Sequence, residues 1–266
     1  EFKKYLLVGG LPVAVNTYND THNIVRVREV QNSICDLYKE DAAKYEELSN
    51  KKLLISTIYD MIVSQMENKK KRVVAKDIRG KKGDRFEWFA EEFEYLTSSG
   101  IALDVHAISN PKYPLVESVH KNLLKLYYND VGIFTSKLYG YNIMPIMNDE
   151  RSINLGSVYE NVVAQQLIAN GFDLYYYDNA KKGEVDFLIN DSSSTSVLPI
   201  EVKSGKDYSI HRSLDRLLDN DEYNIPSAIV LDNEREIVTN GKVTYMPVYF
   251  VMCINRMQQA AENYIF

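Results

Sequence analysis

The alternation of apolar and polar positions divides the chain into two stretches of different character. In the first, apolar residues recur every three or four positions, the spacing of one helix face. Phe2 to Val8 reads as a short element closed by Gly9 and Gly10, and Pro12 admits the next helix. Ile24, Val27, Val30, Ile34, Leu37 and Tyr38 predict a helix over residues 23–45. Leu54, Ile55, Ile58, Met61, Ile62 and Met66 predict another over 51–66. After a short segment around Lys76–Arg79, the residues Phe86, Phe89, Phe93 and Leu96 predict a third helix, Asp84 to Ser98, stopped at Gly100. The pattern then becomes extended: a strand over Ile101–Ser109, a turn over Asn110–Pro114 and a returning strand over Leu123–Tyr128. Helices followed by a β-hairpin give the order of a winged helix-turn-helix, a way of building a small core that recurs widely.

The second stretch reads as α/β. Residues 142–153 are irregular, and Ser157 to Asn170 is a helix with Val158, Val162, Val163 and Leu167 on one face. Two alternating segments follow, Glu184–Asn190 and Val197–Lys203, joined by the polar loop Asp191–Ser196. A helix near Tyr208–Leu218, a strand Ser227–Leu231, a hairpin turning at Asn240-Gly241 and a helix starting near Tyr249 complete it. The expected order is α-β-β-β-α-β with further elements after it. The fold class is therefore α+β or α/β, a helical, winged-helix-like part followed by a small α/β domain. The boundaries fall at 1–20, the remnant of a preceding domain, 21–145 and 146–266.

Charge sharpens this division. The formal net charge is −6, yet residues 1–150 hold 21 basic and 21 acidic side chains, so the excess of acid lies wholly in the second stretch. Cys35 and Cys253 are too few for a disulfide framework or a four-thiolate zinc site. No apolar run approaches the roughly 20 residues of a membrane helix, and no leader precedes the first element, so a cytoplasmic protein without a membrane partner is expected. The chain opens without Met inside an ongoing element, as a piece of a longer protein would.

Candidate chemistry lies on the two alternating segments. Val185, Phe187 and Ile189 share one strand face and leave Glu184 and Asp186 on the other; Leu198, Ile200 and Val202 leave Glu201 and Lys203 opposite. If the strands pair, Asp186, Glu201 and Lys203 meet. Two carboxylates can hold a hard cation, Mg²⁺ or Mn²⁺, through oxygen. An adjacent Lys can stabilise charge on a phosphoryl group or orient a water. The same alternation also fits solvent-face charges in a weak ion pair. Glu184 is expected to flank the site, and Ser204 to shape the strand exit or touch a phosphate.

Asp186, followed about fifteen residues later by Glu201-Val202-Lys203 after a helix carrying Glu160, resembles the PD-(D/E)xK nuclease core. Gly9-Gly10-Leu11-Pro12, Lys125 to Gly132, Tyr159-Glu160-Asn161, Gly183 to Ile189 and Pro199 to Gly205 together resemble the C-terminal, DUF4143-containing region of a prokaryotic AAA-type ATPase family. The resemblance extends over nearly the whole chain. It implies a restriction-endonuclease-like second domain, Asp186, Glu201 and Lys203 as catalytic residues, and Glu160, Asp186 and Glu201 as metal ligands. It also implies an ATPase domain that precedes the winged helix and is the chain's first partner. No Walker A loop is present, because Gly80-Lys81-Lys82-Gly83 lacks its spacing, so no ATP site is expected in these residues. Ser157-Val158-Tyr159-Glu160 also reads as a capping box, which would turn Glu160 back to the backbone of Ser157.

One basic stretch stands out. Lys69, Lys70, Lys71, Arg72, Lys76, Arg79, Lys81, Lys82 and Arg85 face only Asp77 and Asp84 in sequence. Such a run tracks a DNA backbone where a winged helix docks, or else forms a solvated linker. Trp88, Phe89 and Phe93 are expected in the core, and none of His22, His106, His120 and His211 has ligand spacing, His211 reading as a surface residue. The function expected is a DNA-interacting module with a Mg-dependent phosphodiesterase site. Two other classes fit the same residues: a nuclease fold without activity that binds DNA or protein, and a regulatory or assembly half of the absent ATPase.

Overall fold

A computed structural model describes residues 1–44, 49–68, 71–148, 155–191, 193–205 and 208–255. The fold is mixed α+β, with helices throughout and one eight-stranded mixed sheet. The chain forms two compact units. One comprises Glu1–Asp104 with Lys125–Ile153; the other comprises Val105–Leu124 with Asn154–Phe266.

The first unit begins with α1 (Phe2–Val8), α2 (Pro12–Thr21), α3 (Ile24–Lys44), α4 (Ser49–Glu67) and α5 (Ala75–Arg79). Val8, Ala14 and Val27 form one buried cluster, flanked by Leu11, Val15, Tyr18, Ile24 and Val30. The helix expected from Asp84 instead begins with a 3-10 turn over Phe86–Phe89 and continues as α6 (Ala90–Ser98). Residues three apart align in a 3-10 turn. Phe89 is thus buried against Phe93, with Phe86 stacked on Phe93 at 4.5 Å, while Trp88 is 54% exposed and not in the core as its sequence context suggested.

Strands β1 (Ala102–Ile108) and β2 (Val119–Tyr128) follow, with β2 starting four residues earlier than the apolar pattern indicated. Helices α7 (Val131–Tyr139) and α8 (Met144–Met147) complete the first unit; α8 lies in the stretch expected to be irregular.

A buried polar latch ties the first unit together. Asp130 caps α7 by accepting the Ile133 N–H at 3.0 Å, and its other oxygen accepts the Gly10 N–H at 2.7 Å. The backbone N–H groups of Gly132 and Leu11 contribute as well. One carboxylate therefore caps α7 and also holds the turn that leads into α2. Beside it, the fully buried Arg28 donates from Nη1 to the carbonyls of Leu7 and Gly132, to Gln31 and to Thr135. Gln31 in turn donates to the carbonyls of Leu7 and Val8.

The approach of the backbones requires two glycines. Gly9 has φ 75° and a Cβ there would meet the Asp130 carboxylate. A Cβ on Gly132 would stand 2.7 Å from the Val8 carbonyl and 2.8 Å from the Gly9 nitrogen. Both contacts are with backbone, which cannot swing away. Gly132→Ala is expected to destabilise the first unit by about 2 kcal/mol, read as a lowered midpoint in urea unfolding; an unchanged midpoint would show that the latch gives freely.

The second unit contains α9 (Gly156–Ala169), β3 (Tyr175–Asn179), β4 (Gly183–Asn190), β5 (Val197–Val202), α10 (Arg212–Leu218), β6 (Ala228–Asp232), β7 (Val238–Asn240) and β8 (Val243–Pro247). The expected α-β-β-β-α-β order is present as α9-β3-β4-β5-α10-β6. The sheet order is β2-β1-β3-β4-β5-β6-β8-β7. Within it β3, β4 and β5 are antiparallel neighbours, and β5, β6 and β8 run parallel. The hairpin assigned to a wing also joins this sheet, since β1 pairs in parallel with β3 from His106 to Ile108. Leu188, Val197, Val230 and Val243 from the strands pack with Leu214, Leu217 and Leu218 of α10. The segment expected as a C-terminal helix begins as a 3-10 turn, Val248–Cys253, and its continuation lies outside the described residues.

Candidate functional site

The central strands β4 and β5 carry the candidate residues. Their register pairs Phe187 with Ile200 and Leu188 with Pro199, so Asp186 and Glu201 lie at adjoining strand positions just beyond the paired residues. Strict alternation along β4 does not hold. Between the pairs Tyr175–Leu188 and Tyr177–Val185, β4 spends one residue more than β3, so a bulge falls at Asp186–Phe187. Val185 accordingly joins Leu188 in the α10 core, not Phe187 and Ile189 on a common face. A bulge bends the strand and re-aims a side chain. Here it falls at the carboxylate of interest.

Asp186 Oδ2 accepts the Val202 N–H at 2.8 Å. Lys203 Nζ donates to Glu201 Oε1 at 2.7 Å. Glu201 is buried, and its second oxygen, Oε2, has no hydrogen-bond partner. Burial, then the neighbouring Asp186 charge, push the Glu201 carboxyl up to about 8, with Lys203 opposing. Burial works against the Lys203 charge, but Glu201, Asp186 and Glu160 together hold its ammonium above the ordinary value. Asp186, Glu201 and Lys203 are thus brought together, and Glu160 acts on Lys203 through its charge.

Glu160 lies in α9, buried on the helix. The capping-box arrangement is not formed: the helix starts at Gly156 with Leu155 as its N-cap, so Ser157 is already inside it. Glu184 and Ser204 are partly exposed on either side of the site. Among the described residues no group of three or more His, Cys, Asp or Glu side chains is placed to hold a metal ion. The pair Asp186 and Glu201 nevertheless fits a divalent cation chemically. Glu201 Oε2 is an orphaned buried oxygen, and two adjacent carboxylates repel one another until a cation is shared between them.

Of the basic stretch, Lys69 and Lys70 lie outside the described residues. Lys71 and Arg72 are half-buried, and Lys76, Arg79, Lys81, Lys82 and Arg85 are exposed. The Arg79 guanidinium sits 4.6 Å from the Phe89 ring centre. Trp88, three residues after Arg85, is exposed as well.

His211 is buried, contrary to its reading as a surface residue. Its Nε2 lies 2.6 Å from the Tyr245 hydroxyl and its Nδ1 2.8 Å from Asp215 Oδ1. Its position before α10, which docks on the sheet, carries the ring inward. Cys35 is buried and Cys253 exposed, and both are free thiols. Among the described residues no helix is long and apolar enough to cross a membrane.

No curated protein and no solved structure matches the chain. Residues 155–251 match DUF4143, a domain of unknown function, and this span contains Glu160, Asp186, Glu201 and Lys203. The motifs Gly9–Pro12 and Lys125–Gly132 fall outside it, in a separate match. That match, to DUF8612, a second domain of unknown function, covers residues 1–140, more than half of the chain, and the protein belongs to the DUF8612 family.

Proposed function

We propose that the second unit is a nuclease-like module of the PD-(D/E)xK type, with a restriction-endonuclease-like core, and that it acts on DNA. The observation that carries this reading is the convergence of Asp186, Glu201 and Lys203 at adjoining strand positions, with one oxygen of Glu201 left without a partner. Asp186 and Glu201 would hold Mg²⁺ or Mn²⁺. When bound, the ion supplies positive charge for a phosphodiester and acidity for water. Asp186 is oriented by the Val202 N–H. Lys203, kept protonated by the surrounding carboxylates and tethered to Glu201, offers its ammonium to charge developing on phosphoryl oxygens. Glu160 positions that ammonium through its charge. The exposed cations from Lys76 to Arg85, with Trp88, support a winged-helix-like DNA contact in the first unit, where phosphate contacts and base stacking combine. In this reading the chain is the C-terminal region of a AAA-type ATPase.

Labelled single-stranded, duplex and branched DNA, incubated with Mg²⁺ or Mn²⁺ against EDTA, test the proposal. Cleavage is expected to need the metal and to fall by about a hundredfold in Lys203→Ala. The raised pKa of Glu201 specifically favours a second reading, a fold without activity retained for binding, because a neutral carboxyl is a poor metal ligand near pH 7. DNA retained in a mobility shift without cutting would select that reading. Neither cutting nor binding would sink both and leave assembly with an ATPase.

A further inference from the structure

We propose that a cavity of about 560 Å³ at the carboxyl end of β6 is a binding site for a guanidinium or ammonium group. Its anchor Asp232 follows Leu231, whose carbonyl accepts the Lys203 N–H at 2.8 Å, so the cavity borders the strand end that carries the Glu201–Lys203 pair, while Tyr245 stands two strands from Glu201 across the register Glu201–Val230–Tyr245. Its walls include Asp232, Glu234 and Glu236, Arg235, and the rings of Tyr208 and Tyr245.

Asp232 anchors the argument. It is 1% exposed, and its Oδ1 accepts the Glu234 N–H at 2.9 Å. Its Oδ2 is buried with no partner. A buried acceptor without a donor is costly and uncommon, and a cationic N–H is the donor that would repay it best. The sign of the cavity agrees: among the described lining residues three carboxylates outnumber one guanidinium, which favours a cation over phosphate. The tyrosines supply the remaining feature. Their rings pack edge to face, with centres 5.8 Å apart at 73°, and form an aromatic wall against which a cation can rest. The Tyr245 ring is fixed by its hydroxyl at 2.6 Å from the Nε2 of the buried His211. The wall is therefore preorganised, which lowers the cost of binding.

The group recognised has two sources, a free alkylamine or alkylguanidine and the side chain of a basic peptide. The full chain, ¹⁵N-labelled, is titrated with agmatine, with an acetylated tetrapeptide containing one Arg, and with neutral butylurea. Saturable amide shifts at residues 232–236 are expected for agmatine or the peptide, with butylurea at least tenfold weaker. Tighter binding of agmatine identifies a small-molecule site; tighter binding of the peptide identifies a protein partner. Asp232→Asn, which keeps the Oδ1 acceptor for the Glu234 N–H, is expected to weaken the preferred cation about tenfold. Equal binding of butylurea, absence of shifts at 232–236, or unchanged affinity in Asp232→Asn would overturn the proposal. Should that variant fail to fold, the comparison of agmatine with butylurea on the natural chain decides it alone.

Discussion

Replacing Asp130 with Ala is expected to destabilise the first unit by about 3 kcal/mol, a fall of about 10 °C in its thermal midpoint. The magnitude follows from what the carboxylate does. It accepts the N–H groups of Gly10 and Ile133 directly, and those of Gly132 and Leu11 also contribute. The α7 start and the turn entering α2 lose their acceptor at once, and water has no ready access to replace it, because Asp130 is 1% exposed. An N-cap at the surface typically costs about 1 kcal/mol when removed; here the α7 cap and the Gly10 bond are lost together in a buried place. The variant also leaves the buried Arg28 guanidinium without its nearby counter-charge. Asp130→Asn, which retains one acceptor oxygen, is expected to recover about half of the loss. Differential scanning calorimetry of the three proteins checks this, and an Ala variant melting with the natural chain would show that Asp130 is dispensable to the latch.

Glu201→Gln is expected to do the opposite, stabilising the protein at high pH. The folded Glu201 carboxyl titrates near 8, against about 4.5 for an ordinary glutamate. A group whose folded pKa is raised binds its proton more tightly in the native state. Its contribution is therefore complete below about pH 4.5 and is lost as pH rises through about 8. The natural chain should be more stable at pH 5 than at pH 9 by about 3 kcal/mol from this group. Gln cannot ionise, and it keeps an oxygen for the Lys203 ammonium. The variant should match the natural chain at pH 5 and exceed it at pH 9 by about 2–3 kcal/mol. Millimolar Mg²⁺ should narrow that gap by stabilising only the natural chain, if Asp186 and Glu201 share a cation. Urea unfolding at the two pH values, with and without Mg²⁺, measures all three differences. A Gln variant less stable than the natural chain at pH 9 would contradict the assignment of a strained charge to Glu201.

Much of the fold was legible because it rests on local periodicity. The helices from Phe2 to Met66, the strands β4, β5 and β6, and the turn at Asn240-Gly241 all follow from spacing and turn chemistry. Features that depend on tertiary partners were not. β3 is a run of three tyrosines, Tyr175 to Tyr177, buried on both sides, with no alternation to reveal it. The bulge at Asp186 arises from pairing with β3 and leaves no mark on β4 itself. Trp88 was expected in the core with Phe89 and Phe93, but it lies exposed in the 3-10 turn. At the site, Asp186, Glu201 and Lys203 were found by alternation on neighbouring strands, whereas the orphaned Glu201 oxygen and the depth of its burial are products of packing. Asp130 stood in a quoted motif without a role. Its signal was nonetheless local: an Asp directly before an apolar helix, in a chain whose start carries Gly9-Gly10.

The second unit is discontinuous in sequence, and that has a consequence for how the chain is made. β1 pairs with β3 across nearly seventy residues, His106 with Tyr175, so this seam of the sheet closes only after the intervening polypeptide has left the ribosome. Until then the nascent chain holds an unzipped strand whose backbone groups await a partner, and contacts so distant form slowly. The boundaries of the DUF4143 match, 155–251, do not coincide with those of this unit, because they omit β1. A fragment trimmed to that span would present the backbone of Tyr175–Tyr177 as an open sheet margin, the kind of surface on which chains aggregate. Homology and autonomous folding draw different borders on this polypeptide, and excision at the first would discard a strand that the second requires.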